Sequence, residues 1–407
     1  MSTGMPAYDE SGDRSRRPTA TNRTAAQVNT TALLDRLRTA GPQSLSALVQ
    51  HTGLSTATVN RLVDRLIDEG LVLEAGRAAP TGGRPARLVG FNARARSVLA
   101  LDIGSSKIAG AVTDLEARVV RRRRSAIVPG DDARPALYFF EALADLAASL
   151  VKDAATGPAP VRAVAVSVPG VVRRDTGRVE FAPSLQWYDL PLGALLEERL
   201  GLPVRVANDV NLLALAELRH GAARGRRDVL TIALGTGVGA SLVLGGGLYA
   251  GSGGAAGEIG YTLLGRESLS TPWPGFGDLE SRVGTAGMLA RMRERTDALP
   301  DGFGPEDFLG LARSGDEAAT AVLAEVVDDL SLTIGNAATL LNPELVVLGG
   351  GFGRAAADLL VPAVRRRLQG RIPLLPAITG AELEEAQLIG AAELAIDLAA
   401  AAPSPPT

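Results

Sequence analysis

The first hundred residues carry apolar side chains at three- and four-residue spacing, which is the period of an amphipathic helix. The spacing predicts one helix over 29–41, a second that begins after Ser44 and a third that begins after Ser55, because serine is a preferred N-cap residue. Two short strands, 71–74 and 88–91, then flank a turn rich in glycine, proline and arginine. Three short helices and a hairpin predict a winged helix-turn-helix over 25–91.

After residue 95 the pattern changes to apolar strands that alternate with helices. The predicted strands are 98–104, 108–112, 118–128, 161–168, 204–207, 229–234, 240–244 and 345–348. The predicted helices are 134–153, one that ends at 218, 279–296 and 317–341. Because a strand runs twice into a glycine-rich turn and a second strand, the fold class is predicted as a duplicated, two-lobed α/β body with a cleft between its halves.

Charge is distributed unevenly between these two parts. Residues 1–100 hold 13 arginines against 8 acidic residues, a balance of +5, whereas the remainder carries −8. The first 24 residues are rich in Ser, Thr, Arg and Pro and are predicted to form a disordered arm. A basic first part on an acidic body favours nucleic-acid binding by the first part. The arginine run at 121–124 is interpreted as a solvated sheet edge, with a nucleic-acid patch as the alternative.

The third predicted helix offers side chains suited to a major groove. Short polar groups and forked donors fall on the side away from its apolar stripe, and Arg84 lies in the hairpin turn, which suits a minor groove. The predicted DNA-contacting residues are Ser55, Thr56, Thr58, Asn60, Arg61, Arg65 and Arg84. The alternative is a helical hairpin that contacts another protein.

Composition excludes several kinds of chemistry. The chain has no cysteine and two histidines, which excludes disulfides, thiolate metal sites, a cysteine nucleophile and histidine-rich centres. No apolar run reaches the length of a membrane span, and the N-terminus has no secretory apolar segment. The chain is therefore expected to be cytoplasmic, or nucleoid-associated through DNA, with no metal and no membrane contact.

Two glycine turns are candidate phosphate sites. Successive backbone N–H groups in such a turn can surround a phosphate, although a turn of this kind taken alone is more often only a turn. The residues are Asp102, Gly104, Ser105, Ser106 and Lys107 in the first turn and Gly235, Thr236 and Gly237 in the second. A third glycine run closes the segment NPELVVLGGG at 342–351.

Together these motifs resemble the ROK family of repressors, open reading frames and kinases, and specifically its regulator branch with an N-terminal winged helix. The resemblance extends from about residue 29 to 398. Its carriers are GLSTATV at 53–59, TGGRP at 81–85, VPG at 168–170, Trp187 with PL at 191–192, VANDVN at 206–211, GEIG at 257–260 and GDLE at 277–280. The resemblance implies an actin-like, ribonuclease-H-like sugar-kinase fold. It also implies a sugar-binding body over 92–407, with lobe one at 92–208 plus a C-terminal helix at 388–402, and lobe two at 209–387.

The resemblance assigns a sugar site. Asn208 and Asp209 match the pair that binds sugar hydroxyls, and in the kinases the aspartate is the general base. Taken alone, an Asn-Asp pair at a strand-to-helix junction is more often a helix N-cap. The ligand-binding residues implied are Gly170, Ser184, Asn208, Asp209, Glu258, Tyr261 and Glu280.

The sequence departs from the family at its zinc site. Tyr261 stands where the family commonly has a histidine, and the family's cysteine-rich loop is here TPWPGFGDLE at 271–280. Zinc requires thiolate or imidazole ligands in these sites, so no zinc is expected. Ser184 replaces a sugar-contacting asparagine, which together with Tyr261 indicates a reshaped pocket.

The sequence also departs at the first phosphate turn. Ser105 stands where the kinases have a second glycine, which lets the backbone approach a phosphate closely. Bound ATP and kinase turnover are therefore not expected. The favoured hypothesis is a sugar-responsive repressor that binds an operator as a homodimer or homotetramer. The alternatives are a sugar kinase with an appended DNA-binding unit, and a DNA-binding protein whose ligand pocket has decayed.

Overall fold

The computed structural model describes residues 22–77, 86–104, 106–127, 135–155, 157, 159–270, 277–296 and 299–401. The chain divides into two compact units, which join in sequence between Asn92 and Ala93. They are called here the N-terminal unit and the body. The predicted wing residue Arg84, the turn residue Ser105 and the loop 271–276 lie outside the described residues.

The N-terminal unit contains three helices and a small antiparallel sheet. Its elements are α1 (Asn22–Ala40), β1 (Gln43–Ser44), α2 (Leu45–Thr52), α3 (Thr56–Asp68), β2 (Val72–Arg77) and β3 (Arg87–Phe91), with sheet order β1-β3-β2. Leu33, Leu37, Leu48, Leu66 and Val89 are fully or almost fully buried and form its centre. The predicted winged helix-turn-helix is confirmed.

Local sequence determines where these helices begin and end. Ser44 and Ser55 cap α2 and α3, because each hydroxyl accepts a hydrogen bond from a backbone N–H three residues later. Gly53 follows α2 in the left-handed conformation that glycine adopts without strain. Helix α1 begins seven residues before the predicted start at residue 29, so residues 22–24 belong to a helix and not to the predicted arm. The remainder of that arm lies outside the described residues.

The body contains two lobes with equivalent central sheets. The first lobe includes β4 (Ser97–Ile103), β5 (Lys107–Asp114), β6 (Val119–Ala126), α4 (Pro135–Ala155), β7 (Val161–Val168), β8 (Val171–Arg173), β9 (Arg178–Ala182), β10 (Trp187–Leu190), α5 (Leu192–Leu200) and β11 (Val204–Asn208). The chain then enters α6 (Asp209–His220) and the second lobe.

The second lobe begins with β12 (Val229–Leu234), β13 (Val238–Leu244), β14 (Gly247–Tyr249), α7 (Asp278–Val283), α8 (Thr285–Arg295) and α9 (Pro305–Ser314). It continues with α10 (Glu317–Leu341), β15 (Leu345–Gly349), α11 (Gly350–Ala355), α12 (Ala357–Leu368) and β16 (Ala377–Gly380). The last described element is α13 (Ala386–Ala401), which packs on α6, β4 and β7.

The two sheets have the same topology. Their orders are β6-β5-β4-β7-β11 and β14-β13-β12-β15-β16. In each sheet the first three strands in this order pair antiparallel with one another. The last two strands run parallel to the central strand, which is β4 in one sheet and β12 in the other. The predicted duplication is therefore confirmed, and it places both glycine turns at equivalent ends of equivalent strands.

Several features of the body differ from the prediction. The elements without predicted counterparts are the three-stranded sheet β8-β9-β10, the strands β14 and β16, and the helices α5, α9, α11 and α12. The predicted helix 279–296 is two helices, because Gly284 is extended at ψ 152 and separates α7 from α8. A Cβ at this glycine would lie 2.6 Å from the carbonyl oxygen of Glu280, so the chain packs too tightly there for a side chain.

The arginine run at 121–124 lies on β6, an edge strand whose eight residues are all exposed. Arg122 and Arg124 both pair with Glu385, and Arg123 pairs with Asp153. Charged side chains on an edge strand discourage pairing with another chain, so the solvated-edge interpretation fits the structure. No helix within the described ranges has the length and hydropathy needed to cross a membrane.

Candidate ligand site and nucleic-acid interface

The junction between β11 and α6 places Asn208 and Asp209 side by side. The Asn208 Oδ1 accepts hydrogen bonds from the backbone N–H groups of Val210, at 2.9 Å, and Asn211, at 3.0 Å, so this side chain caps α6. Its Nδ2 donates to the carbonyl oxygen of Gly170 at 2.9 Å. The N-cap role is thus present, and it positions the Asp209 carboxylate at the first turn of α6.

Gly170 occupies a position that only glycine fits. Its φ is +94°, and a Cβ there would lie 2.1 Å from the carbonyl oxygen of Phe181. The glycine therefore brings the backbone after β7 against β9 and within reach of Asn208. These contacts join the β7 turn, the small β8-β9-β10 sheet and the start of α6.

Four carboxyl groups from different elements influence one another. Burial raises the pKa of Asp209, and together with the charges of the neighbouring Asp102 and Glu258 it brings this pKa to about 7. Burial also raises the pKa of Glu258, assisted by the charge of Glu280. Burial likewise raises the pKa of Asp102, and the ammonium of Lys107 partly opposes this effect. The predicted ligand acids and the first turn's aspartate therefore form one electrostatic cluster, and we call it the carboxyl cluster.

Glu280 connects this cluster to the second glycine turn. Its Oε2 accepts a hydrogen bond from the backbone N–H of Val238 at 2.8 Å and lies 3.4 Å from where a Cβ at Gly237 would stand. Burial raises the pKa of Glu280, whereas the Val238 N–H lowers it. Within the turn, the N–H of Gly235 donates to the carbonyl oxygen of Gly237 at 3.0 Å. The second glycine turn thus contacts a predicted ligand-binding acid directly, and Thr236 lies between its two glycines.

Tyr261 and Ser184 occupy different surroundings. Burial raises the pKa of the Tyr261 phenol, and the charges of Glu280 and Glu258 add to the effect, so the tyrosine lies beside the carboxyl cluster. Ser184 is exposed in the short turn Pro183–Leu185 between β9 and β10. The structure brings Tyr261 to the other predicted ligand residues and shows no hydrogen bond from Ser184 to any described residue.

The first glycine turn closes the β4-β5 hairpin. The N–H of Gly104 donates to the carbonyl oxygen of Lys107 at 2.9 Å, and the carbonyl oxygen of Ser106 accepts from the N–H of Ile127 at 2.8 Å. The Lys107 side chain is exposed. Because Ser105 lies outside the described residues, its effect on a phosphate cradle stays a prediction.

The region of the family's zinc loop is anchored by a buried carboxylate. Asp278 accepts hydrogen bonds from the hydroxyl of Ser268, from the N–H of Leu264 at 2.9 Å and from Arg282 Nε at 2.8 Å. Burial alone would raise the pKa of Asp278, but these hydrogen bonds hold it below its usual value. With Tyr261 in place of histidine and no cysteine in the chain, the donor set does not fit a structural zinc ion.

Helix α3 separates the predicted DNA contacts into two groups. The Ser55 and Thr58 hydroxyls lie 2.9 Å apart and belong to the cap of the helix, and Arg65 Nη2 donates to the buried Thr30 hydroxyl on α1 at 2.7 Å. The side chains of Thr56, Asn60 and Arg61 are exposed and make no hydrogen bond to another described residue. The second group is therefore the part of α3 that can read bases.

Sequence reasoning missed the role of two residues. Asn211, quoted only as part of a motif, accepts a hydrogen bond at its Oδ1 from the Ser241 hydroxyl on β13 at 2.7 Å and so ties α6 to the second lobe. Arg65 supports the α1–α3 contact, which its place on the polar side of α3 did not indicate. The only indication in the sequence of the Asn211 contact is that Asn211 lies two residues after Asp209 in the same motif.

Comparison with known proteins places the body in a family. Residues 98–398 match the ROK family model. The chain belongs to the ROK family. Residues 28–73, from within α1 to the start of β2, also match the MarR family model.

The relatives differ in how much of this chain they cover. The xylose repressor of Caldicellulosiruptor bescii is 26% identical over 77% of this chain and 81% of its own length. A crystal structure of a ROK family transcriptional regulator, a homologue of the E. coli MLC protein, covers 93% of this chain and 97% of its own, with 23% identity and a TM-score of 0.80. A ROK glucokinase from Streptomyces griseus, solved with glucose and AMPPNP, covers 99% of its own length but 74% of this chain, with 29% identity and a TM-score of 0.62.

Proposed function

We propose that this ROK protein is a sugar-responsive transcriptional repressor. One observation carries the proposal: a single chain holds a capped helix that exposes Thr56, Asn60 and Arg61, and also a carboxyl cluster built on the family's sugar-site positions. The relatives support it, since one is named a xylose repressor and the transcriptional regulator covers 93% of this chain, which is more than the body alone. The glucokinase covers 74% of this chain.

The carboxyl cluster has the chemistry of a hydroxyl-binding site. Ionised carboxylates accept hydrogen bonds from sugar hydroxyls, and a protonated carboxyl can also donate to a sugar oxygen. Asp209, with its pKa of about 7, can do either near neutral pH. The effector proposed is therefore a sugar with several free hydroxyl groups. D-Xylose is the first candidate, because a relative is named a xylose repressor.

The DNA partner is an operator duplex that receives α3 in its major groove. Arg61 can donate two hydrogen bonds to guanine, and Asn60 is suited to adenine. The sugar releases the operator only if it binds the off-DNA conformation more tightly than the on-DNA one. We further propose that two α3 helices from a homodimer or homotetramer occupy two half-sites, as helix-turn-helix proteins do.

The decisive experiment is fluorescence anisotropy on DNA from upstream of the protein's own gene, titrated with D-xylose, D-glucose and N-acetyl-D-glucosamine. We expect tight binding that one sugar reverses. Asp209→Ala should bind the same DNA with native affinity and resist release, because it lacks the hydroxyl acceptor. Asp145→Ala, which removes an exposed carboxylate on α4, is the matched control and should respond as the native protein does. Normal release by Asp209→Ala would move the ligand site elsewhere.

Arg61→Ala tests the DNA side of the proposal. We expect it to weaken operator binding by about 1–3 kcal/mol and to weaken random-DNA binding much less, because a base contact carries sequence information and a phosphate contact does not. Equal losses on both DNAs would remove the base-reading role of Arg61. A companion Arg84→Ala variant is expected to lower affinity for A·T-rich flanking sequence.

A sugar kinase is the second candidate, and one observation favours it. The pKa of Asp209, about 7, is the value that suits a general base taking a proton from a sugar hydroxyl. The departure at Ser105 weighs against turnover, and so does the coverage of this chain by regulators. Sugar-dependent formation of ADP would support the kinase. DNA binding that no sugar changes would instead support a decayed pocket.

A further inference from the structure

Helix α6 connects the carboxyl cluster to a second polar cluster at its other end. It begins at Asp209 and ends at His220. At that end Arg219 Nη1 lies 3.3 Å from Glu393 Oε2 and its Nη2 lies 3.1 Å from Asp397 Oδ2, both on α13. The His220 Nε2 lies 2.8 Å from Glu393 Oε1. The carboxylate of Glu393 is fully buried, so the pairing with Arg219 and His220 compensates a charge that is shielded from solvent.

The two helices also touch through their backbones. A Cβ at Gly390 of α13 would lie 1.9 Å from the carbonyl oxygen of Leu212 on α6. Ala391, Ala392 and Ala395 are almost completely buried on the same helix. Because the backbones of α6 and α13 touch at Gly390, no flexible side chain separates the two helices there, and a shift of α6 moves α13 with it.

The far end of α13 contacts the start of the body. The nearly buried Arg96 donates from Nη1 to the carbonyl oxygen of Ala399 at 3.0 Å. Arg96 follows the unit boundary at Asn92–Ala93 by three residues and immediately precedes β4. Strand β4 then leads back to Asp102 of the carboxyl cluster. A continuous series of contacts therefore runs from the carboxyl cluster along α6 to α13, and from α13 through Arg96 to the segment that joins the two units.

We propose that α13 transmits the effector signal, with Arg219 and Arg96 as positioning residues that couple the sugar site to the segment joining the two units. This inference rests on the proposed function and adds its regulatory route. Sugar held at the start of α6 changes the position of that helix, Arg219 passes the change to α13, and Arg96 passes it to the joining segment. Neither arginine touches sugar or DNA.

The test separates coupling from binding. Arg96→Met and Arg219→Met keep the aliphatic stem and remove the guanidinium. With the sugar that releases the native protein among D-xylose, D-glucose and N-acetyl-D-glucosamine, both variants should keep their separate dissociation constants for sugar and operator within about threefold of native. The ratio of operator dissociation constants with and without saturating sugar should fall at least about fivefold. A ratio within about twofold of native in both variants overturns the proposal.

Two controls make this result specific. Arg313→Met removes another arginine that donates to a backbone carbonyl, that of Ala355 at 2.7 Å, away from this route, and should keep the native ratio. The double variant Arg96→Met/Arg219→Met should lose no more coupling than the larger single loss, because both residues act in one series. Additive losses would contradict a single route through α13.

Hydrogen exchange gives a readout that needs no sugar. In Arg219→Met, amides at 397–401 and at 96–99 should exchange faster than in the native protein, whereas those of α9 should not change. Unchanged exchange at 96–99 overturns the link whatever the sugar does. If no sugar releases the native protein but exchange changes as expected, the proposed effector response is wrong and the mechanical link stands.

Discussion

At the scale of single residues, the protonation of Asp209 is the property with the widest consequences. Its pKa of about 7 results from burial and from the nearby charges of Asp102 and Glu258. The sequence marks Asp209 by its motif, but it does not reveal that Asp102 lies close enough to raise this pKa. That proximity depends on the pairing of β4 with β7 and of β7 with β11, which only the fold supplies.

The sugar affinity should therefore depend on pH. The ionised fraction of Asp209 rises from about one tenth at pH 6 to about nine tenths at pH 8, and the ionised form is the better hydroxyl acceptor. We expect sugar to bind up to roughly tenfold more tightly at pH 8 than at pH 6 in isothermal titration calorimetry. Asp209→Asn should bind weakly with much less dependence on pH. Equal native affinity at both values would contradict hydroxyl recognition by the carboxylate.

At the scale of secondary-structure elements, the cap of α6 joins fold and site. Asn208 gives two acceptor bonds to the first turn and one donor bond to Gly170. We expect Asn208→Ala to lower the free energy of unfolding in urea by about 1–3 kcal/mol, since it removes all three bonds. Asn208→Ser keeps a capping acceptor without adding a charge and should lose clearly less. A loss below about 0.5 kcal/mol for the alanine variant would show that the cap contributes little.

Long elements with one strong period could be predicted from sequence. Helix α10 at 317–341 and the strands at 161–168 and 229–234 have the bounds that their patterns indicate. The β8-β9-β10 sheet could not be predicted, because its strands are three to five residues long and alternate weakly. The break lies at Gly284, whose extended backbone separates α7 from α8, and a single glycine inside an apolar period did not reveal it. The residues proposed for the site could be named from sequence motifs, whereas the contacts of Asn211 and Arg65 could not.

At the scale of the whole molecule, operator binding should require two chains. A single α3 reads few base pairs, and helix-turn-helix proteins occupy half-sites about one helical turn apart. We expect sedimentation velocity to show a dimer or tetramer that binds one palindromic operator. DNA that carries one half-site should bind at least about a hundredfold more weakly. One chain bound per operator at full affinity would contradict the oligomeric part of the proposal.

The hydrogen bonds of Asp278 determine the conditions under which the start of α7 stays fixed. The start of α7 is fixed by donors from Ser268, Leu264 and Arg282, all supplied by the polypeptide. Since the chain also lacks thiols, neither trace-metal starvation nor oxidative stress removes a group on which this anchor depends. The start of α7 is therefore held independently of the supply of a metal ion and of the redox state of a thiol.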